Sequence, residues 1–257
     1  MTTSNASDRQ RAHYERIHDA YEAHYYDAES LAYRERFILD PLLGGVDLSG
    51  RRLADLASGS GHNTTLLRRR YSDLDAVGFD ISDDACRGYQ ANTGSPAHRL
   101  DLTRPNATDA FAGQFDAAII VGGLHHCVAN LPATLDNIHA LLRPGGQLLL
   151  FEPNAGYRLE TLRTLWYQRD TYFDAETERA LTHDELVALA GDRFDVELVL
   201  HLGGPAYFLI LNSLVMRVPH WLKRQLAAPS MAVEEIFNRH MGPRSCAYFV
   251  ARWRRKA

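Results

Sequence analysis

The chain is short of several things, and each shortage closes off a class of function. Its 257 residues include only three cysteines, Cys86, Cys127 and Cys246. They are too few and too scattered for a disulfide framework, and no two stand at a metal-ligand spacing. A reducing compartment is expected. Lysine occurs only at Lys223 and Lys256, and the net charge of -4 leaves no overall basic field to draw nucleic acid. No apolar run reaches the length of a membrane span, and the start, MTTSNASDRQR, lacks the apolar core of a signal peptide. The expected location is the cytoplasm and the expected partners are small molecules, with a homodimer left open.

What remains is a chain that is 46% apolar, enough for one large domain. Residues 8 to 42 carry apolar and aromatic positions at helical spacing up to Asp40-Pro41, so residues 1–42 read as an N-terminal helical lid. An alternation then begins over 43–257. RLADLA (52–57), DAVGFD (75–80), AHRLD (97–101), FDAAIIV (115–121) and GQLLLFE (146–152) read as strands separated by helical segments. Helical pattern returns over 157–168 and 182–190, FDVELVLHL and CAYFVARW read as two last strands, and a helical insertion fills about 205–240. The predicted fold is α/β: a Rossmann-like, doubly wound, mostly parallel sheet with an antiparallel last strand, capped by the N-terminal helices and the insertion. Within the insertion, AYFLILNSLVM (206–216) reads as a buried lid or core helix, although the basic HWLKRQL that follows also suits a membrane surface or a partner.

Ligands of such sheets sit beyond the carboxyl ends of the strands. After the first strand the chain reads LADLASGSGHNT (53–64). A dinucleotide would want G-x-G-x-x-G, with nothing between pyrophosphate and helix N-terminus. Here the third glycine position is Thr64, and Asp55 would set a negative charge beside any phosphate. A carboxylate in that place suits a ligand with a cationic amine and no phosphate, which points to the amino-acid end of S-adenosylmethionine. Asp80, ending GFD, can accept from both ribose hydroxyls. Asp101, in RLDL, can accept from an adenine amine while apolar neighbours sandwich the ring.

In order, LADLASGSG, GFDIS, RLDL, FDAAIIVGGLHH and LLRPGGQLLLFEPN resemble the motifs of the class I S-adenosylmethionine-dependent methyltransferases, over about residues 50 to 155. The resemblance implies that Asp55, Ala57, Ser58, Gly59 and Gly61 hold the methionine end, Asp80 and Ile81 the ribose, and Asp101 and Leu102 the adenine, with Val121 and Gly122 lining the same pocket. The chain departs from the pattern at Ala57, where the family commonly has glycine. An alanine there is expected to be tolerated if its backbone is not at positive φ.

Methyl transfer needs proximity, and a base only where the acceptor must lose a proton. His125 and His126, just past the fourth strand, are the candidate bases, and packing or capping is the alternative reading. Tyr14, His18, Tyr21 and Tyr25 fall along one helical face and are candidate lid residues, unless the face simply packs on the core. Glu152, ending the fifth strand, is placed to bind an acceptor amine or hydroxyl, or else to cap a helix. No metal ligands are expected. The function expected is methylation of oxygen or nitrogen on a small metabolite such as a natural-product or sugar intermediate. A non-catalytic cofactor-binding module and a nicotinamide-dependent oxidoreductase are the competing readings.

Overall fold

In the computed structural model, residues 25–167 and 178–257 are described. Seven strands form one sheet: β1 (Arg52–Leu56), β2 (Asp75–Asp80), β3 (Ala97–Arg99), β4 (Phe115–Val121), β5 (Leu142–Pro153), β6 (Phe194–Leu202) and β7 (Tyr248–Arg255). Their spatial order is β3-β2-β1-β4-β5-β7-β6. The first five pair in parallel, and β7 runs antiparallel to both β5 and β6. The chain reverses direction across the sheet between β1 and β4, so the loops after β1, β2 and β4 converge at that switch point.

The strands sort their side chains by alternation. In β4, Ala117 and Ile119 enter one core while Ala118 and Ile120 enter the other. In β5, Leu149 and Phe151 divide from Leu148 and Leu150 in the same way. Period-two burial on both faces explains why these strands read as unbroken apolar runs. One core is covered by α1 (Ala28–Arg34), α2 (His62–Arg70) and the insertion, the other by α4 (Leu131–Leu141) and α6 (His183–Ala190). Between them in sequence, α3 (Asp83–Thr93) packs on β2 and β3, and α5 (Glu160–Tyr167) follows β5.

Several boundaries differ from expectation. The strand placed at 97–101 stops at Arg99, because Asp101 turns back to accept from Thr103 N at 3.0 Å. The fifth strand begins at Leu142, four residues early, and absorbs Pro144-Gly145-Gly146 as an irregularity opposite Phe115 and Ala117. The first helix does not end at Asp40-Pro41. It passes through a π-helical turn, Glu35–Leu39, into Asp40–Leu43, with Pro41 in the opening turn of that segment, where its missing N–H costs least.

Residues 28–43 of the expected lid lie within the core: Tyr33, Phe37 and Leu42 pack with Leu53 and Tyr207. Two acids tie this region to the insertion, Glu234 fully buried and Asp27 partly buried. Glu234 on α7 (His220–His240) accepts from Tyr33 Oη at 2.7 Å and from the N–H groups of Gly204 and Ala206. Asp27 holds the buried Lys223 ammonium at 2.7 Å. The apolar run 206–216 is core over most of its length, with Tyr207, Ile210, Leu211, Leu214 and Val215 buried, while Met216 and Trp221 are exposed. No helix among the described residues is long and apolar enough to cross a membrane.

Candidate active site

The loop after β1 is built by backbone geometry. Gly61 takes φ +81°, and a Cβ there would stand 2.6 Å from Thr93 Cγ2 and 2.8 Å from Tyr89 Cδ2. Both the left-handed turn and the close approach require glycine. Ala57 also lies in the left-handed region, at φ +48°. The condition set on this alanine is therefore not met: the chain carries a methyl where glycine would be unstrained, at a cost of roughly 1 kcal/mol. The methyl finds room because residue 123 is glycine. A Cβ at Gly123 would fall 2.8 Å from Ala57 Cβ.

Asp55 is buried, and its Oδ2 accepts from the Thr64 hydroxyl at 2.7 Å, with Tyr89 Oη 2.8 Å beyond. Burial raises its pKa to about 7, against the Thr64 bond and with help from the Asp80 charge. Its Oδ1, Ser58 Oγ and Asn63 Oδ1 are buried without a hydrogen-bond partner. Orphaned buried oxygens are costly. Two of these three can only accept and the third is a hydroxyl, which is the complement of an ammonium with its three donors and the opposite of a phosphate site.

A small cleft of about 70 Å³ opens beside this loop. Among the expected residues it brings together Ala57, Asp80, Ile81, Asp101, Leu102 and His126, and it adds Leu100, Thr103, Gly123 and Cys127. Asp80 accepts from Gly59 N at 2.9 Å and Ser82 N at 3.0 Å, which leaves part of its four-site acceptor capacity toward the cleft. Burial raises its pKa. Asp101 combines both readings: it faces the cleft and also receives the N–H and hydroxyl of Thr103.

Asp55, Ser58, Gly59 and Gly61 do not line the cleft, and Gly123 lines it where Val121 and Gly122 were expected. Val121 instead packs against the opposite core. The turn that puts Gly123 inward is set by φ +71° at Gly122, which no residue count along the strand reveals.

Glu152 has a different task from the one expected. Its fully buried carboxylate accepts from the N–H groups of Gly123, Leu124 and His125, and His125 Nδ1 lies 2.7 Å from Oε2. With three backbone donors and a ring on it, it cannot also take an acceptor group. It caps the short 3-10 turn Leu124–His126 and orients the imidazole. The carboxylate draws the ring proton to Nδ1, so Nε2 of His125 presents the lone pair.

His126 pairs with Glu178, Nδ1 to Oε1 at 3.2 Å, and its ring lies 4.0 Å from that of His125. Burial lowers the His126 pKa, but the charge and hydrogen bond of Glu178, with Glu152 and Asp80 behind, outweigh it and leave the pKa raised. His125, His126 and Glu178 place ligand-type atoms within 4.8 Å of one another. Glu178 stands 52 positions from His126, and no local signal marks it.

Tyr25 reaches the insertion, donating to Asn212 Oδ1 at 3.0 Å, while its neighbour Tyr26 stacks on His62 at 4.0 Å. Tyr14, His18 and Tyr21 lie outside the described residues.

The sheet order, with acids at the strand ends beside the glycine turn, defines a Rossmann-like methyltransferase fold. A family profile described as a methyltransferase domain matches residues 6–185, and the chain belongs to that family. The methyl donor of this family is S-adenosylmethionine. An S-adenosylmethionine-dependent methyltransferase structure from Thermotoga maritima superposes with a TM-score of 0.62 at 16% identity, covering 96% of this chain and 100% of that one. The [4+2]-cyclase SpnF superposes with a TM-score of 0.52 at 15% identity, over 81% of this chain and 76% of that one. Likeness at such identities is likeness of fold. In sequence, 82 residues are 30% identical to the highly reducing polyketide synthase PKS2 of Leptosphaeria maculans, a match over 30% of this chain. The matched stretches span about 2 to 3% of the polyketide synthases concerned.

Proposed function

We propose that this enzyme methylates an oxygen or nitrogen of a small, largely apolar metabolite of the natural-product kind, with His125 as the base that takes the acceptor's proton. The observation that carries the reading is the His125–Glu152 pair, 2.7 Å apart with the carboxylate fully buried. When bound, S-adenosylmethionine supplies a methyl already activated on a sulfonium. The protein's share is to hold the acceptor in line and to remove its proton at His125 Nε2, while Glu152 stabilises the imidazolium that forms. His126 is the poorer base, since its raised pKa keeps it protonated to higher pH and its ring faces the cleft among Phe79, Leu100 and Leu102.

An apolar cavity of about 390 Å³, lined by Tyr157, Leu159, Leu162, Phe208 and Met216 among others, supports an acceptor with a hydrocarbon body. The partial similarity to polyketide synthases supports the same class.

The test is a screen of the purified chain with methyl-labelled cofactor against hydroxylated and aminated polyketide-like compounds, with simple sugars and amines as controls. Label transfer to the apolar set, reduced about a hundredfold or more in kcat by His125→Ala with cofactor affinity kept, is the expected result. Transfer confined to sugars or small amines, or normal turnover in His125→Ala, overturns it.

A further inference from the structure

Two imidazoles and a carboxylate converge beside the cleft. One ligand-type atom each from His125, His126 and Glu178 falls within 4.8 Å of the others. His126 Nδ1 and Glu178 Oε1 are 3.2 Å apart, and the two histidine rings lie 4.0 Å apart between centroids. Nitrogen and oxygen ligands that share one tetrahedral ion at their usual bond lengths stand roughly 3.3 Å from each other. The His126–Glu178 spacing already matches. His125 has at most the difference between 4.8 Å and that spacing to close, about 1.5 Å, which a modest side-chain rotation covers.

The backbone fixes this meeting of distant residues. Arg179 N–H donates to the His125 carbonyl at 3.4 Å. Leu181 pairs with the end of β5, its N–H donating to the Pro153 carbonyl at 3.1 Å and its carbonyl accepting from Ala155 N at 2.9 Å. Glu178 is thus tied next to the histidines by the same strand end that carries Glu152.

Two further observations fit an ion. A metal-binding histidine commonly gives its other ring N–H to a carboxylate, which fixes the tautomer and leaves one nitrogen to ligate. His125 has this arrangement, with Glu152 Oε2 2.7 Å from Nδ1, so Nε2 is the ligating atom. The charge around the pair has the right sign as well: Glu178, Glu152 and Asp80 all act on the His126 ring, and a dication is favoured among carboxylates. Two imidazoles with one carboxylate suit zinc and its transition-metal neighbours over magnesium and calcium, which take oxygen ligands. Three protein ligands leave one position open, and His126 sets it on the cleft.

We propose that His125, His126 and Glu178 form a site for a divalent cation of the zinc class, and that the ion shuts off methyl transfer by occupying the Nε2 lone pair of His125. The site stands on its own geometry. The shut-off rests on His125 as the base, and the experiment separates the two.

The metal-stripped full chain is titrated with zinc chloride by calorimetry and with cobalt(II) chloride by visible absorption, with magnesium chloride as control. Methyl transfer to an acceptor from the screen is followed over the same zinc range. One zinc per chain, the visible bands of four- or five-coordinate cobalt and no response to magnesium are the expected results. Turnover falls as the site fills and returns on chelation. Glu178→Gln weakens zinc binding by about tenfold or more and moves the inhibition by the same factor.

Should Glu178→Gln not fold, His126→Gln carries the comparison. Zinc binding that fails to occur, or that neither substitution weakens, overturns the site and leaves the base reading untouched. Zinc that binds through the three side chains with turnover undiminished overturns the shut-off, and with it His125 as the base, while the site stands.

Discussion

Cofactor binding should titrate with Asp55. In the ligand-free chain burial lifts this carboxyl to about 7, the Thr64 hydrogen bond opposing and the Asp80 charge assisting. An ammonium at the orphaned Oδ1 favours the ionised form, so below neutrality each binding event first expels a proton. The apparent dissociation constant then scales as one plus the ratio of protonated to ionised Asp55. Between about pH 7.5 and pH 6 this factor grows roughly eightfold, a little over 1 kcal/mol.

Calorimetry with S-adenosylhomocysteine in buffers of contrasting ionisation enthalpy reads the effect directly. About half a proton should be released per ligand near pH 7, and close to one near pH 6. Asp55→Asn should bind more weakly near neutrality and lose most of the slope. Any slope that survives belongs to Asp80, whose carboxyl burial also raises. A wild-type affinity that stays flat over this range, or a slope unchanged in Asp55→Asn, would refute the reasoning. The same shift acts on folding. With a folded pKa raised above the unfolded one, Asp55 contributes stability that is full below the ordinary carboxylate range and lost as pH rises through about 7. The ligand-free melting temperature of the wild type should therefore fall over that window more steeply than that of Asp55→Asn.

Three substitutions probe the rest of the site. Ala57→Gly removes the left-handed penalty at φ +48°, roughly 1 kcal/mol, part of which the freer unfolded chain takes back; a small rise in melting temperature with cofactor affinity kept is expected, and a fall would count against strain at this residue. Gly123→Ala sets a methyl 2.7 Å from Ile120 Cγ1 and 2.8 Å from Ala57 Cβ, so denaturant unfolding should show a loss of about 1 to 3 kcal/mol, and pairing it with Ala57→Gly should recover part of that. Glu152→Gln turns an amide donor toward backbone N–H groups and removes the charge behind His125; kcat should fall with KM for the cofactor little changed, and steady-state kinetics showing an unchanged kcat would count against the pair.

Much of this molecule was legible before its structure. The strand runs, the acids near the ends of β1 and β2, and the glycine turn after β1 all act through neighbours in sequence. An apolar run such as AAIIV is buried by its own alternation, and a glycine turn is written in the residues that permit it. The strand boundaries at Arg99 and Leu142 were less legible, because a side-chain turn at Asp101 and an irregularity at Pro144-Gly145-Gly146 compete with strand propensity.

The sequence by itself determined the strands and the alternation with helices that makes the sheet mostly parallel, since periodicity and turn chemistry are local properties. Tertiary structure alone decided that Glu152 serves His125 instead of an acceptor, that Gly123 enters the cleft and Val121 does not, and that Ala57 is strained. Each of these depends on groups far apart in the chain meeting at a few ångströms, where desolvation and hydrogen-bond geometry set the energy, and spacing along a sequence carries no record of that distance.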